Sequence, residues 1–194
     1  ASTAVLRDAR ERYTAGRGLP VVEVIAPAAR RAVATTRNKR IGVIGTELTI
    51  MTGAYQDMLA VVPGVQITAQ ACPKFVELVE SGITTGPEVL AAVHEYLDPV
   101  KDEGVDTLIL GCTHYPLLTG VISYVMGDDV ALVSSGQEAA NEICRVLAAN
   151  DLVRENGAEP THRFIVTGDP EPFHEKARRF LGPEVRTVET AETT

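Results

Sequence analysis

Strands alternate with helices along the whole of this chain, which predicts an α/β fold with mainly parallel sheets flanked by helices. Three observations carry that prediction. Short apolar runs at 41–44 and 108–110 read as strands buried on both faces. Glycine follows each run, at Gly45 and Gly111, and a helix-forming segment follows the glycine. Pairs such as Pro63-Gly64 and Gly86-Pro87 punctuate the units as turns.

The elements follow in order. Residues 2–14, rich in Ala, Arg and Glu, have helical character that Gly16 and Gly18 end. Residues 19–25 read as a strand with Pro20 at its edge. Pro27 opens a helix to about 36, 41–44 is a strand, and the Gly45-Thr46 turn leads into a helix over 48–61. Residues 65–69 form the next strand. A short helix follows Pro73, with Phe75, Val76 and Val79 at helical spacing. The helix after Pro87 has Val89, Leu90, Val93 and Leu97 on one face. A strand at 107–110, a helix over 116–126 and a strand at 130–133 come next. Ser134 or Ser135 then caps a helix over 138–149. Residues 156–160 are a polar loop. A strand at 163–167, a turn at Gly168-Asp169-Pro170 and a helix over 172–181 precede a tail with one short strand after Val185. There is no internal repeat and no low-complexity segment.

The chain has 194 residues, enough for one or two small α/β units with a real core. Its net charge of −8 argues against a general nucleic-acid surface, so no direct nucleic-acid partner is expected. No apolar run reaches the length of a membrane span, and no signal peptide is visible. Three cysteines, Cys72, Cys112 and Cys144, lack metal-like spacing, and an odd count fits a reducing cytoplasm better than a disulfide scaffold. Cys72 and Cys144 read as packed core residues, and Glu77 and the Arg30-Arg31 and Arg178-Arg179 pairs as solvated.

Residues 108–118, Leu-Ile-Leu-Gly-Cys-Thr-His-Tyr-Pro-Leu-Leu, hold the chemistry. Gly111 lets the backbone turn and approach a ligand closely. If residues 112–114 stay extended, Cys112 and His114 point to the same side. Pro116 suits the first turn of the following helix, whose free amides would face the same spot and favour an anion. The sequence thus places a thiol, a base and an anion cradle at the carboxyl end of a parallel strand, where open α/β sheets bind ligands. Taken singly, a cysteine after an apolar strand is ordinarily a small buried hydrophobe, and a lone histidine is ordinarily structural.

As a unit, the string Gly111-Cys112-Thr113-His114-Tyr115-Pro116 resembles the second active-site motif of the glutamate racemases, cofactor-independent enzymes that make D-glutamate for bacterial peptidoglycan. The resemblance extends to 22–25 with Pro27, to 41–46, to 72–76 and 80–82, and to 167–170. It implies two similar lobes with the active site in the cleft between them. Residues 23–133 would form one lobe, and 1–22 with 134–194 an incomplete other. It also implies that Cys112 and His114 are catalytic, that Thr113, His114 and Thr46 bind substrate, and that Glu80 orients His114. A solvated helix-end carboxylate is an equal reading of Glu80.

Family members carry an earlier Cys-Asn-Thr/Ser-Ala-Ser motif, and Ala1-Ser2 resemble its last two residues. The first catalytic thiol would then precede Ala1, and the 194 residues alone are expected to turn over no substrate. Neither pyridoxal phosphate nor a metal is implied, since no lysine motif or ligand cluster is present. Glutamate is the expected small-molecule partner. The family dimerises in different ways, so a homodimer is one open outcome. Two alternatives stand beside this reading: an aspartate or hydantoin racemase relative, and a non-catalytic binding protein of the gyrase-inhibitor type.

Overall fold

The apolar runs of the sequence come together in one parallel sheet. The structure, a computed structural model, describes residues 8–155, 157 and 159–191. Among these, β1 (Arg40–Gly45), β2 (Gln66–Ala71), β3 (Thr107–Leu110) and β4 (Ala131–Ser134) pair in the order β2-β1-β3-β4, all parallel. The chain steps from β1 outward to β2, then crosses back over β1 to β3. The order therefore reverses between β1 and β3, and the crevice beyond their carboxyl ends is the switch point where such sheets take ligands.

Both faces of the sheet are covered, as the unbroken burial of β3 and of Ile41–Gly45 in β1 requires. Side-chain alternation divides the strands between two helical layers. Ile41, Val43, Ile109 and Val133 join a core with Ile25, Ala28, Ala29 and Ala32 of α1 (Ile25–Thr35) and with Tyr55 and Leu59 of α3 (Ala54–Ala60). The three alanines let α1 lie close to the strands. α7 (Ser135–Ala149) packs against α1, where Arg30 pairs with Glu142 at 3.0 Å. α4 (Pro73–Glu80), α5 (Pro87–Asp102) and α6 (Thr119–Met126) supply Phe75, Val79, Val93, Leu97 and Ile122, all fully buried. Gly42 is needed on the α5 side. A Cβ there would stand 2.7 Å from Leu108 Cδ1 and 3.1 Å from Val100 Cγ1.

The amino end of β3 is tied down by Asp106. Its carboxylate accepts from the Thr36 hydroxyl and the Arg37 amide, both at 2.6 Å, from the Asn38 amide at 2.7 Å and from the Thr107 hydroxyl at 3.0 Å. This closes the α1–β1 loop onto the sheet.

Several expectations need correction. Residues 19–25 form no strand. The two carboxylate oxygens of Glu23 accept from the Ile25 and Ala26 amides at 2.5 and 2.8 Å, so the β-branched run ends in a capped helix start. The helix expected over 48–61 is two, α2 (Glu47–Met51) and α3, separated by Gly53 at φ +66°. Pro116 sits in a short 3₁₀ turn, Tyr115–Leu118, and α6 starts only at Thr119. Cys144 is exposed on α7 and not core. Of the helix expected over 2–14, residues 8–17 are helical, with π-type bonding over Arg10–Ala15, and residues 2–7 lie outside the described part. The loop expected over 156–160 includes 156 and 158, which also lie outside it.

The chain divides into two units, Ala1–Leu152 and Val153–Thr194. The smaller pairs β5 (Phe164–Val166) with β6 (Val188–Thr190) in parallel, linked through α8 (Pro170–Leu181). Asp169 caps α8 through the Glu171 amide at 3.1 Å, and Arg163 bridges β5 to Glu189 of β6.

Candidate active site

At the carboxyl end of β3 the sheet ladder runs one residue further, with the Gly111 amide donating to Ile44 O at 2.8 Å. This position admits no side chain. A Cβ on Gly111 would lie 2.8 Å from Ile44 O and 3.1 Å from Tyr55 Cε2. The glycine is therefore required by its own neighbours, where the sequence had suggested close approach of a ligand.

Beyond Gly111 the backbone turns. Cys112 to His114 are not extended, and His114 has helical angles, φ −78° and ψ −33°. Strand alternation is thus not what brings the two side chains together; the turn does it. Tyr115 anchors that turn. It is fully buried, donates from its hydroxyl to Cys72 O at 2.9 Å and meets the Phe75 ring edge-to-face at 5.3 Å.

The turn carries a chain of three functional groups. Cys112 Sγ lies 3.7 Å from His114 Nδ1, and His114 Nε2 lies 3.2 Å from Glu80 Oε1. Thr113 Oγ1 is 3.4 Å from the same Nδ1. Glu80, the last residue of α4, thus reaches the far side of the imidazole from a different element. Burial pushes the Cys112 thiol above its ordinary value, against the His114, Tyr115 and Thr113 amides, which pull it down. Of the amides expected at the helix start, that of Tyr115 donates to Cys112 O at 3.3 Å.

Cys112 and Thr113 open into a cavity of about 310 Å³ walled by Val24, Ile25, Leu48, Thr49, Thr52, Tyr55, Gly111, Ser135 and Gly136. The walls come from the starts of α1, α2 and α7 and from α3, gathered at the β1/β3 switch point. Thr46 is not among them. Its hydroxyl accepts from the Thr49 amide at 3.3 Å and shares a 3.0 Å contact with the Thr49 hydroxyl, so it caps α2 while Thr49 faces the cavity. Thr49, Thr52, Tyr55 and Ser135 escaped the sequence reading. The helix starts after β1 and β4 were the signal that could have found Thr49 and Ser135.

Cys72 is buried, with its sulfur 3.7 Å from Gln70 O. Neither it nor Cys144 lines the cavity around Cys112. Among the described residues no cluster of three His, Cys, Asp or Glu side chains could hold a metal ion, and no helix is long and apolar enough to cross a membrane.

Residues 2–143 match the family described as Asp/Glu/Hydantoin racemase. A glutamate racemase from Beutenbergia cavernae is 60% identical over 200 residues, covering 98% of this chain and 68% of that protein. One from Mycobacterium leprae is 57% identical, covering 98% and 69%. The fold overlays on a glutamate racemase from Bacillus anthracis with a TM-score of 0.85 at 35% identity, over all of this chain and 69% of that one. It overlays on the Francisella tularensis enzyme, solved in complex with D-glutamate, with a TM-score of 0.81 at 30% identity, over 91% and 65%.

Proposed function

This chain belongs to the Asp/Glu/hydantoin racemase family, and from that membership we infer a glutamate racemase in which Cys112 is one of two acid–base groups. The observation that carries the assignment of the base is the Cys112–His114–Glu80 chain at the β1/β3 switch point.

Racemisation removes the α-proton from one face of the amino acid and returns a proton from the other. As thiolate, Cys112 Sγ takes the α-proton from its face, and the C–H electron pair stays on carbon. An acid on the opposite face then protonates that carbon, completing inversion. In the reverse direction Cys112 begins as thiol and donates. Neither Cys72 nor Cys144 lines the cavity, so the opposing group is not one of these two thiols. The sequence resemblance puts that group in the family's earlier Cys-Asn-Thr/Ser-Ala-Ser motif.

Burial that raises the thiol also means the thiolate is not free to form; its proton needs a place to go. His114 Nδ1 is within reach of it, and Glu80 on Nε2 orients the ring. The three turn amides stabilise the sulfur once it is charged. Thr113 offers its hydroxyl to the substrate's ammonium or carboxylate, and Thr49 and the α7 start present donors across the same cavity, with Thr46 holding Thr49 in place. Donors fixed around a small cavity are what a carbanion next to a carboxylate requires.

The test is Cys112→Ala in a racemase that carries the family's first active-site motif together with residues 1–194, assayed for D-glutamate formation by polarimetry with glutamate and aspartate in parallel. Loss of at least about a hundredfold in kcat on glutamate is expected, in line with removal of an acid–base group. Full turnover would remove Cys112 from the mechanism. Faster wild-type turnover of aspartate would move the substrate within the family.

A further inference from the structure

Cys112 Sγ has one long side-chain contact, 3.7 Å to His114 Nδ1, so its place is set chiefly by the backbone that carries it. That backbone leaves β3 through the peptide unit joining Leu110 to Gly111, a rigid plane with one acceptor and one donor. Both are held. On the β1 side the Gly111 amide donates to Ile44 O at 2.8 Å. On the β4 side the Ser135 hydroxyl donates to Leu110 O at 2.9 Å. This second bond stands where the sheet ladder runs out. β3 and β4 pair from Thr107 with Ala131 to Leu110 with Ser134, and the Ala131 amide donates to Asp106 O at 2.9 Å. In a parallel ladder such bonds recur at every second carbonyl, which leads from Asp106 through Leu108 to Leu110. At Leu110 the chain of β4 has already entered α7, and a side chain bonds the carbonyl. Ser135 is the first residue of α7, is 4% exposed and lies with Gly136 in the wall of the Cys112 cavity. Its neighbour Ser134 takes the capping role, accepting from the Gln137 amide at 3.4 Å.

We propose that Ser135 is a positioning residue for the Cys112 base: its hydroxyl grips the last peptide of β3 from the β4 side and so sets where the turn presents the thiol to the cavity. This deepens the reading of Cys112 as base and rests on it. Gly111 is what makes the grip matter. Without a Cβ it has a wide choice of φ and ψ, and these two angles are all that separates the held plane from the Cys112 peptide. A plane gripped on one side only could tilt, and the tilt would be carried through Gly111 to the sulfur. Gripped on both sides, it starts the turn in one direction. The same bond ties the start of α7 to β3, so that Ser135 and Gly136 keep their place in the cavity wall while the thiol keeps its own.

The test uses a racemase that carries the family's first active-site motif together with residues 1–194. Ser135→Ala deletes the hydroxyl, Ser135→Thr keeps it, and Asp106→Asn loosens the other end of β3 as a control for lost stability alone. Turnover of glutamate and alkylation of Cys112 by iodoacetamide at fixed pH are both measured. Cleavage at Glu103 and Glu138 yields a Cys112 peptide free of Cys72 and Cys144 for mass spectrometry. In Ser135→Ala, kcat is expected to fall about ten- to fiftyfold with KM within about threefold, because the thiol is misplaced. Its alkylation is expected to speed up about three- to tenfold, because a loosened turn exposes the sulfur. Ser135→Thr and Asp106→Asn should each keep both rates within about threefold of wild type. Wild-type turnover in Ser135→Ala, or alkylation no faster than wild type, would overturn the proposal. So would a Thr variant no better than Ala, an equal effect of Asp106→Asn, or a Ser135→Ala chain that does not fold, since each would make the hydroxyl a matter of folding or bulk. Alkylation needs no turnover, so it stays informative even if Cys112→Ala were to show that another group is the base.

Discussion

β3 is only four residues long, yet its two ends are built on opposite principles. At the amino end, the Asp106 carboxylate takes four donors at 2.6–3.0 Å from the α1–β1 loop and from Thr107. At the carboxyl end, Cys112 has one long side-chain contact, 3.7 Å to the His114 imidazole, and opens into a cavity. The first end is a saturated network that holds the strand in place. The second joins a thiol, an imidazole and a carboxylate in one chain beside a cavity that a ligand can enter. Saturation serves stability at one end, and a thiol open to a cavity serves chemistry at the other.

Substitutions at the two ends should therefore fail in opposite ways. The largest effect is on rate: Cys112→Ala should lose its hundredfold or more while its urea midpoint stays near wild type, because the side chain is small and only partly buried. A collapse of the midpoint would erase the contrast. Asp106→Asn should do the reverse, costing about 1–3 kcal/mol in urea unfolding by turning an amide donor toward other donors, with kcat unchanged.

That loss should depend on pH in a defined direction. Burial raises the Asp106 carboxyl, but its Thr36, Asn38, Arg37 and Thr107 donors outweigh this and hold it below the ordinary 3.8. A group depressed in the folded state contributes stability above its unfolded pKa and loses it as pH falls through the folded value. The gap between wild type and Asp106→Asn should be full at neutral pH and narrow below the ordinary aspartate range. A gap that widened in acid would contradict the network.

Smaller effects sharpen the comparison. Glu80→Gln should lower kcat by about three- to tenfold with little change in KM, a modest loss because its side chain, 38% exposed, acts partly through water. Cys144→Ser should change neither rate nor stability beyond about 0.5 kcal/mol, since that thiol is at the surface. Any rate loss there would give this thiol a role that the cavity lining does not suggest.

Much of the fold was readable because it rests on local signals. The apolar runs at 41–44 and 107–110 are strands, Ser134 and Asp169 are caps, and Pro73 and Pro87 open helices, as their short-range chemistry requires. The failures came where a distant or ionic partner outweighed propensity. Val22 to Ile25 look like a strand until the Glu23 carboxylate caps α1, and Cys144 looks like core from its spacing on a helix whose face turns out to be open.

The same division holds at the site. Sequence alone determined the thiol, the imidazole and the glycine at the end of a buried strand, since these are contiguous and their spacing is covalent. Only the tertiary structure decided that a turn, and not an extended segment, brings Cys112 to His114, that Glu80 arrives from α4, and that Tyr55 and Ser135 enclose the sulfur. Those groups are separated from Cys112 by tens of residues, and the β2-β1-β3-β4 order that gathers them is a property of strand pairing that no local pattern records.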